Sequence, residues 1–149
     1  MDLTELLEMS DRHRQQQKPI QIGCCEAAGC LSVNSLAVHQ ALETAVDEAE
    51  MGDRIQVKRV GCLGLCGQGR MVRAAPSGDL YQNVTPTNAA AIVAEVAEQR
   101  SLNPDPPVQY ADTNHPFFAR QLCIVRENSG TIDPEQIEEY IAVGSPHDC

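Results

Sequence analysis

Four cysteines in two short stretches, Cys25-Glu-Ala-Ala-Gly-Cys30 and Cys62-Leu-Gly-Leu-Cys66, carry the clearest chemistry in this sequence, with thirty-one residues between the pairs. Thiolates are soft ligands, and two short loops that each deliver two of them make a metal or cluster site. A structural zinc site favours closer pairs, because a tight C-x2-C knuckle puts two sulfurs on one tetrahedral edge. Gaps of four and three suit instead two irons bridged by sulfide, each taking two protein ligands, which points to a [2Fe–2S] cluster ahead of zinc or a disulfide. Glycines at 61, 64, 67 and 69 surround the second pair. Small residues there let backbone N–H groups approach the sulfurs and stabilise the added negative charge of a reduced cluster. Cys24 adjoins Cys25, and by chemistry alone either is a candidate first ligand.

The elements that must position these thiols are legible from periodicity. Residues 2–16 read as a helix closed by Pro19, and Pro19-Ile-Gln-Ile-Gly-Cys24 alternates as a short strand leading into the first pair. Ser32, Asn34 or Ser35 is placed to cap the next helix, whose apolar stripe runs Val38, Leu42, Ala45, Val46, Ala49 to about Met51. Arg54-Ile-Gln-Val-Lys-Arg-Val60 alternates as a second strand and delivers the second pair. Segments 70–74 and 79–83 flank Pro76-Ser-Gly-Asp79 as a hairpin, and Thr85-Pro86 opens a helix through Ile92, Val93 and Val96 to about Arg100. A helix linking two strands, then a hairpin and a final helix, predicts an α/β fold of thioredoxin-like type over residues 1–100. The four prolines within 101–118 read as a linker. In residues 119–149, Gln121–Arg126 reads as a strand and Asp133-Pro134 as the start of a helix to about Val143. That appendage is too short to bury a core of its own.

Composition narrows the function classes. The net charge of −10 argues against nucleic acid, which demands clustered Lys and Arg. Residues 1–100 carry 9 basic and 13 acidic groups, and residues 101–149 carry 2 and 8, a surplus expected to serve solubility. No apolar run approaches the roughly 20 residues needed to span a bilayer, so no membrane insertion is expected. The absence of a secretory leader pattern predicts a cytoplasmic protein, where cysteines act as ligands or redox groups. Tyr81 is the one aromatic in residues 1–100, so an aliphatic core is expected.

Cys25-x4-Cys30 followed by Val60-Gly-Cys-Leu-Gly-Leu-Cys66 resembles the thioredoxin-like [2Fe–2S] ferredoxin domain of respiratory complex I and of NAD-linked hydrogenase diaphorases. Gly29-Cys30-Leu-Ser32, Asp79-Leu-Tyr81 and Val84-Thr-Pro86 are similar to the flavin-bearing diaphorase version. The opening Met1-Asp-Leu-Thr, with Gln15–Pro19 and Cys24-Cys25, is similar to the cyanobacterial type. The resemblance implies that Cys25 rather than Cys24 is the first ligand, and that Cys25, Cys30, Cys62 and Cys66 hold one [2Fe–2S] cluster. It implies electron transfer within a hydrogenase–diaphorase or NADH-dehydrogenase complex, whose other subunits are the partners. His115-Pro-Phe-Phe118, Gln121–Asn128 and Gly130–Pro134 through Ile141 resemble the start of the flavin subunit. The sequence contains no glycine-rich FMN or nucleotide loop, so FMN and NAD are expected only in a missing module or a partner subunit, and no catalytic residue is assigned. The family usually has proline shortly after the fourth cysteine, where Gly69-Arg70 stands here. Arg70 is thus either a charge that raises the cluster's potential or a solvent-facing side chain.

The remaining candidates read more plainly. Cys24 is expected as a small buried hydrophobe, Cys123 as core or interface filler, and Cys149 is given no role. The four histidines, at 13, 39, 115 and 147, lack metal spacing, and both His39 and Glu26 are expected at the surface. Phe117-Phe118 is expected either as a docking knob or packed on the first domain. The alternatives to electron transfer are a thioredoxin-like thiol–disulfide protein and a truncated assembly remnant without an electron partner. The first of these wants C-x-x-C at a helix start, which neither pair supplies.

Overall fold

Strand register, more than any other feature of the fold, decides where the cysteines stand. The computed structural model describes residues 2–98 and 107–144 of the 149-residue chain. Five strands form one mixed sheet: β1 (Ile20–Cys25), β2 (Ile55–Val60), β3 (Val72–Ala75), β4 (Leu80–Gln82) and β5 (Gln109–Tyr110), in the order β2-β1-β3-β4-β5. β1 and β2 are parallel, with Ile20 opposite Ile55 and Cys25 opposite Val60, and the other neighbours are antiparallel. Parallel neighbours need a crossover, and α3 (Ser35–Glu48) provides it. The two strands end level, so the chain leaves both at one edge of the sheet. The short helix α2 (Ala28–Leu31) lies directly beyond β1.

The core lies between the sheet and two helices. Val38, Leu42, Ala45 and Val46 of α3 are buried, as are Ala89, Ile92, Val93 and Val96 of α4 (Ala89–Glu98), together with Ile20, Ile22, Ile55 and Val72 from the strands. Ala49, expected on the α3 stripe, is instead the exposed C-cap. Asn34 occupies the α3 N-cap with φ 63° and no side-chain cap bond. The core is not purely aliphatic: Tyr81 is fully buried, and its hydroxyl donates to Glu95 Oε1 over 3.3 Å. Tyr110 bonds to the same carboxylate oxygen, and the two rings lie 5.1 Å apart. A buried carboxylate of this kind is tolerated because two hydroxyls satisfy it.

The appendage differs from its sequence reading in three ways. β5 and the start of α5 (Pro116–Ala119) fall inside the segment read as a linker, whose residues 101–106 lie outside the described residues. Gln121–Arg126 is not a strand, and Leu122, Ile124 and Val125 are strongly exposed. A short β-prone segment needs a neighbour to pair with, and β5 already occupies the outer edge of β4. The last helix, α6 (Ile137–Val143), begins three residues later than the expected Asp133 cap implies, with Gln136 at its N-cap. The Asp133 carboxylate accepts from Glu135 N (2.9 Å), closing a local turn ahead of the helix.

α6 packs on α1 (Leu3–Gln16), and Arg14 donates to Ala142 O over 2.8 Å. The start of α1 is set by a capping box in which Glu5 N donates to the Asp2 carboxylate and Asp2 N to that of Glu5. Lys58 of β2 pairs with Glu139 of α6 at 3.0 Å, with less than a tenth of either side chain exposed. These contacts hold the C-terminal segment against the edge of the sheet that carries the second cysteine loop.

Candidate metal centre

Cys25 is the last residue of β1 and is buried, its N–H bonded to Met71 O (3.0 Å) and that of Glu26 to Val60 O (3.1 Å). Both bonds extend the sheet past the strand end and hold the first loop against the second. Cys30, also buried, sits in α2, where its N–H donates to Ala27 O (2.9 Å). Cys62 is half-buried two residues after β2, and Cys66 is exposed at the start of a single 3-10 turn, Cys66–Gln68.

The two loops meet where Gly29 faces Cys66. A Cβ at residue 29 would stand 3.0 Å from Cys66 Cβ and 3.1 Å from its Sγ, so glycine allows the approach. Cys62 Sγ and Cys66 Sγ are 3.7 Å apart. Tetrahedral coordination with metal–sulfur bonds of about 2.3 Å has an edge of about 3.8 Å, so this pair already spans one edge. Cys62 Sγ also accepts the Gly64 N–H at 3.3 Å, the glycine-to-sulfur contact expected of this loop. Cys30 Sγ lies 3.2 Å from Gly69 O.

Electrostatics tie the four thiols together. Burial pushes the Cys30 thiol up to about 12, a backbone bond from Met71 works the other way, and the Cys25 and Cys66 sulfurs raise it further. The Cys66 thiol is raised mainly by its bond to Cys62, with the Cys25 charge adding to the effect. The Cys30 and Cys66 thiols thus resist becoming anions, a condition that a bound cation relieves by deprotonating them outright. Among the described residues no three His, Cys, Asp or Glu side chains stand as a group around one ion. Cys62 and Cys66 stand as one thiol pair and Cys25 interacts with Cys30 as a second, so each iron of a binuclear cluster finds two ligands. The donor set therefore fits a [2Fe–2S] cluster. The described thiols are all outside disulfides.

Cys24 points the other way along β1. It is fully buried in the main core, its Sγ 3.8 Å from Ser35 O, and burial, with Glu26 and the neighbouring thiols, pushes its thiol up to about 12. Adjacent residues of a strand face opposite sides, so Cys24 and Cys25 cannot serve one site together.

Several surrounding residues depart from their sequence readings. Glu26 is not solvent-exposed: its side chain is about 11% exposed, with Oε1 2.9 Å from His39 Nδ1 and Oε2 3.4 Å from Arg59 Nε. His39 is buried rather than on the surface, close to Glu26 but not aligned for a hydrogen bond, and its Nε2 lies 3.4 Å from Glu43. Crossing of α3 over the β2 end brings these charges together, which helix periodicity alone does not reveal. Cys123 is exposed rather than core. Arg70 is half-buried and donates to Val33 O over 3.3 Å, which ties it to the loop after α2. Phe118 takes the packed alternative, beside Cys25, Cys30, Met71 and Leu80, while Phe117 is about half exposed with its ring edge-on to Phe118. His147 and Cys149 lie outside the described residues.

Sequence reasoning missed the cover over the second loop. Ser129 Oγ donates to Cys62 O at 2.8 Å, and the Arg126 guanidinium lies 4.0 Å from Cys62 Sγ. More than sixty residues separate these partners, so no local pattern announces them.

Residues 10–97 match the family described as thioredoxin-like [2Fe–2S] ferredoxin. A [2Fe–2S] ferredoxin from Clostridium pasteurianum is 33% identical over 64 residues, which span 43% of this chain and 63% of that protein. The fold is similar to two solved structures of a thioredoxin-like [2Fe–2S] ferredoxin from Aquifex aeolicus. One has TM-score 0.51 at 19% identity, covering 62% of this chain and 97% of that one; the other has TM-score 0.52 at 18% identity, covering 64% and 96%. At such identities the likeness speaks for the fold.

Proposed function

Because the chain belongs to the thioredoxin-like [2Fe–2S] ferredoxin family, we propose that it is a one-electron carrier whose cluster is held by Cys25 and Cys30 on one iron and Cys62 and Cys66 on the other. The observation that carries this reading is the level ending of β1 and β2, which brings two thiol pairs to one edge of the sheet. When bound, the cluster supplies a reversible one-electron couple. The protein's part is to bind and bias it. Cys25 and Cys30 lie in a small apolar cluster with Met71 and Leu80, with Leu63, Leu65 and Phe118 against it, and this shell limits water around the buried half of the site. The Gly64 N–H stabilises negative charge on the Cys62 sulfur, and exposed Cys66 marks the side open to a partner.

The electron partner on this reading is a flavin-bearing, NAD-linked subunit of a hydrogenase–diaphorase or NADH-dehydrogenase complex. The likeness of residues 115–141 to the start of such a subunit supports it. FMN and NAD then belong to that partner or to a module outside these 149 residues. Among the described residues no helix is long and apolar enough to cross a membrane, and a cytoplasmic place suits the unpaired thiols.

A thiol–disulfide role is the weaker reading. A nucleophilic cysteine needs a lowered pKa, and Cys30 and Cys66 are both raised. Anaerobic purification or reconstitution, with iron and sulfide counts and low-temperature EPR after dithionite, tests the proposal. Two irons, two sulfides and a spin-half signal are expected; one zinc per chain and no signal would sink it.

A further inference from the structure

Arg126 brings a guanidinium against a cysteine sulfur from the C-terminal segment rather than from either cysteine loop. Its Nη1 lies 4.0 Å from Cys62 Sγ, the same sulfur that accepts the Gly64 N–H at 3.3 Å. Gly64, whose φ of +91° favours glycine, lies directly beneath the guanidinium: a Cβ there would stand in ordinary contact, 3.6 Å from Nη1 and 3.9 Å from Nη2. The guanidinium therefore lies over the backbone of the loop. Three residues on, Ser129 Oγ donates to Cys62 O at 2.8 Å, and Gly130 abuts Leu63. Further along, Arg59 Nη1 lies 3.4 Å from Glu135, and Lys58 pairs with Glu139 at 3.0 Å. The segment is thus clamped on both sides of the sulfur it covers.

We propose that Arg126, clasped over the second cysteine loop by residues 126–139, is a positioning residue that sets the reduction potential of the cluster by holding a positive charge beside Cys62. The inference rests on the electron-carrier reading above. Reduction adds one negative charge to the cluster, and a fixed cation near a ligand sulfur stabilises the reduced form more than the oxidised form. Arginine suits the place because it stays charged at any working pH and presents a fork of donors. The side chain is solvent-exposed, so the effect is screened and modest, on the order of the few-fold change that an exposed charge pair produces. The clasp also makes the potential depend on a segment distant in sequence, so that whatever displaces residues 126–139 shifts the electron balance without touching a ligand.

The test is an anaerobic redox titration of the full chain, followed by EPR and visible absorption, for wild type, Arg126→Gln, Arg126→Lys, Arg126→Glu and the remote control Arg12→Gln. With Arg126→Gln, the reduced-to-oxidised ratio at a fixed ambient potential should fall about threefold, equivalent to about 28 mV for one electron at about 59 mV per decade. Arg126→Glu should fall further, Arg126→Lys should stay near wild type, and Arg12→Gln should not move. The difference should narrow as salt rises from about 0.05 M to about 1 M, because screening weakens a charge effect and leaves a purely structural one intact. Full iron and sulfide content with an unchanged potential in Arg126→Gln and Arg126→Glu overturns this inference and leaves the electron-carrier reading standing. A wild-type chain that takes up no iron and sulfide overturns both.

Discussion

Cys25 and Val60 stand directly opposite each other in the β1–β2 register, at the last residue of each strand. That pairing makes a site out of two loops thirty-one residues apart in sequence. A shift of one residue would turn Cys25 into the core and Cys24 toward the loops, because strand side chains alternate. Register and ligand choice are therefore one question here.

Serine substitutions should separate the adjacent cysteines. Cys25→Ser should abolish or alter the EPR signal of the reduced protein. Cys24→Ser should keep that signal while lowering stability by about 1–3 kcal/mol, since it puts a hydroxyl into a fully buried apolar position. Iron counts and urea unfolding of both variants check this, and the reverse pattern would reassign the ligand.

Gly29→Ala should push the loops apart. The new methyl meets Cys66 Cβ at 3.0 Å and Sγ at 3.1 Å, so the exposed 3-10 turn must move outward. The expected result is lower iron and sulfide content and a changed visible circular-dichroism spectrum, with an overpacking cost of about 1–3 kcal/mol. Full cluster content with an unchanged spectrum would show that the close approach is not needed.

Alkali should destabilise the fold through Tyr81. Burial raises the hydroxyl above its ordinary value, and the neighbouring Glu95 charge adds to this. The unfolded tyrosine loses its proton near about pH 10 while the folded one keeps it. The contribution is therefore fully present below about pH 10 and is lost as pH rises above that value. Urea midpoints should fall above about pH 10, and the fall should be shallower in Tyr81→Phe. An identical slope in the two proteins would remove Tyr81 as the cause.

Lys58→Met should release the C-terminal clasp. Lys58 and Glu139 are paired at 3.0 Å with 9% and 5% of their side chains exposed, and Glu139 Oε2 also accepts from Asp133 N at 2.8 Å. Removing the cation strands a buried carboxylate at a cost of about 3–5 kcal/mol. Hydrogen exchange in residues 133–143 should accelerate while that of β1 and α3 stays slow. Uniform acceleration across the chain would mean that segment and sheet unfold as one unit.

Much of the fold was legible because the signals are local. The period of α3 and α4, the alternation of β2 and the turn at Pro76–Asp79 each depend on a few neighbouring residues, and these elements form close to where expected, α4 starting at Ala89 after a 3-10 turn at Pro86–Asn88 and its expected end at Arg100 lying outside the described residues. Gln121–Arg126 shows where local signals stop. The segment has the composition of a strand, but pairing needs an edge, and residues 109–110 take the edge of β4. Glu26 and His39 show the same limit for charge. Each looks like a surface residue until α3 crosses over the end of β2 and encloses both.

By itself, the sequence determined the α/β element order of residues 2–98 and the two thiol pairs, because element type and ligand spacing are properties of contiguous residues. Only the tertiary structure decided that the pairs meet, that Cys24 faces the core while Cys25 faces the loops, and that Arg126 comes to rest beside Cys62. Those outcomes depend on register and on contacts between residues more than thirty positions apart, where the chain is joined by packing rather than by covalent neighbourhood.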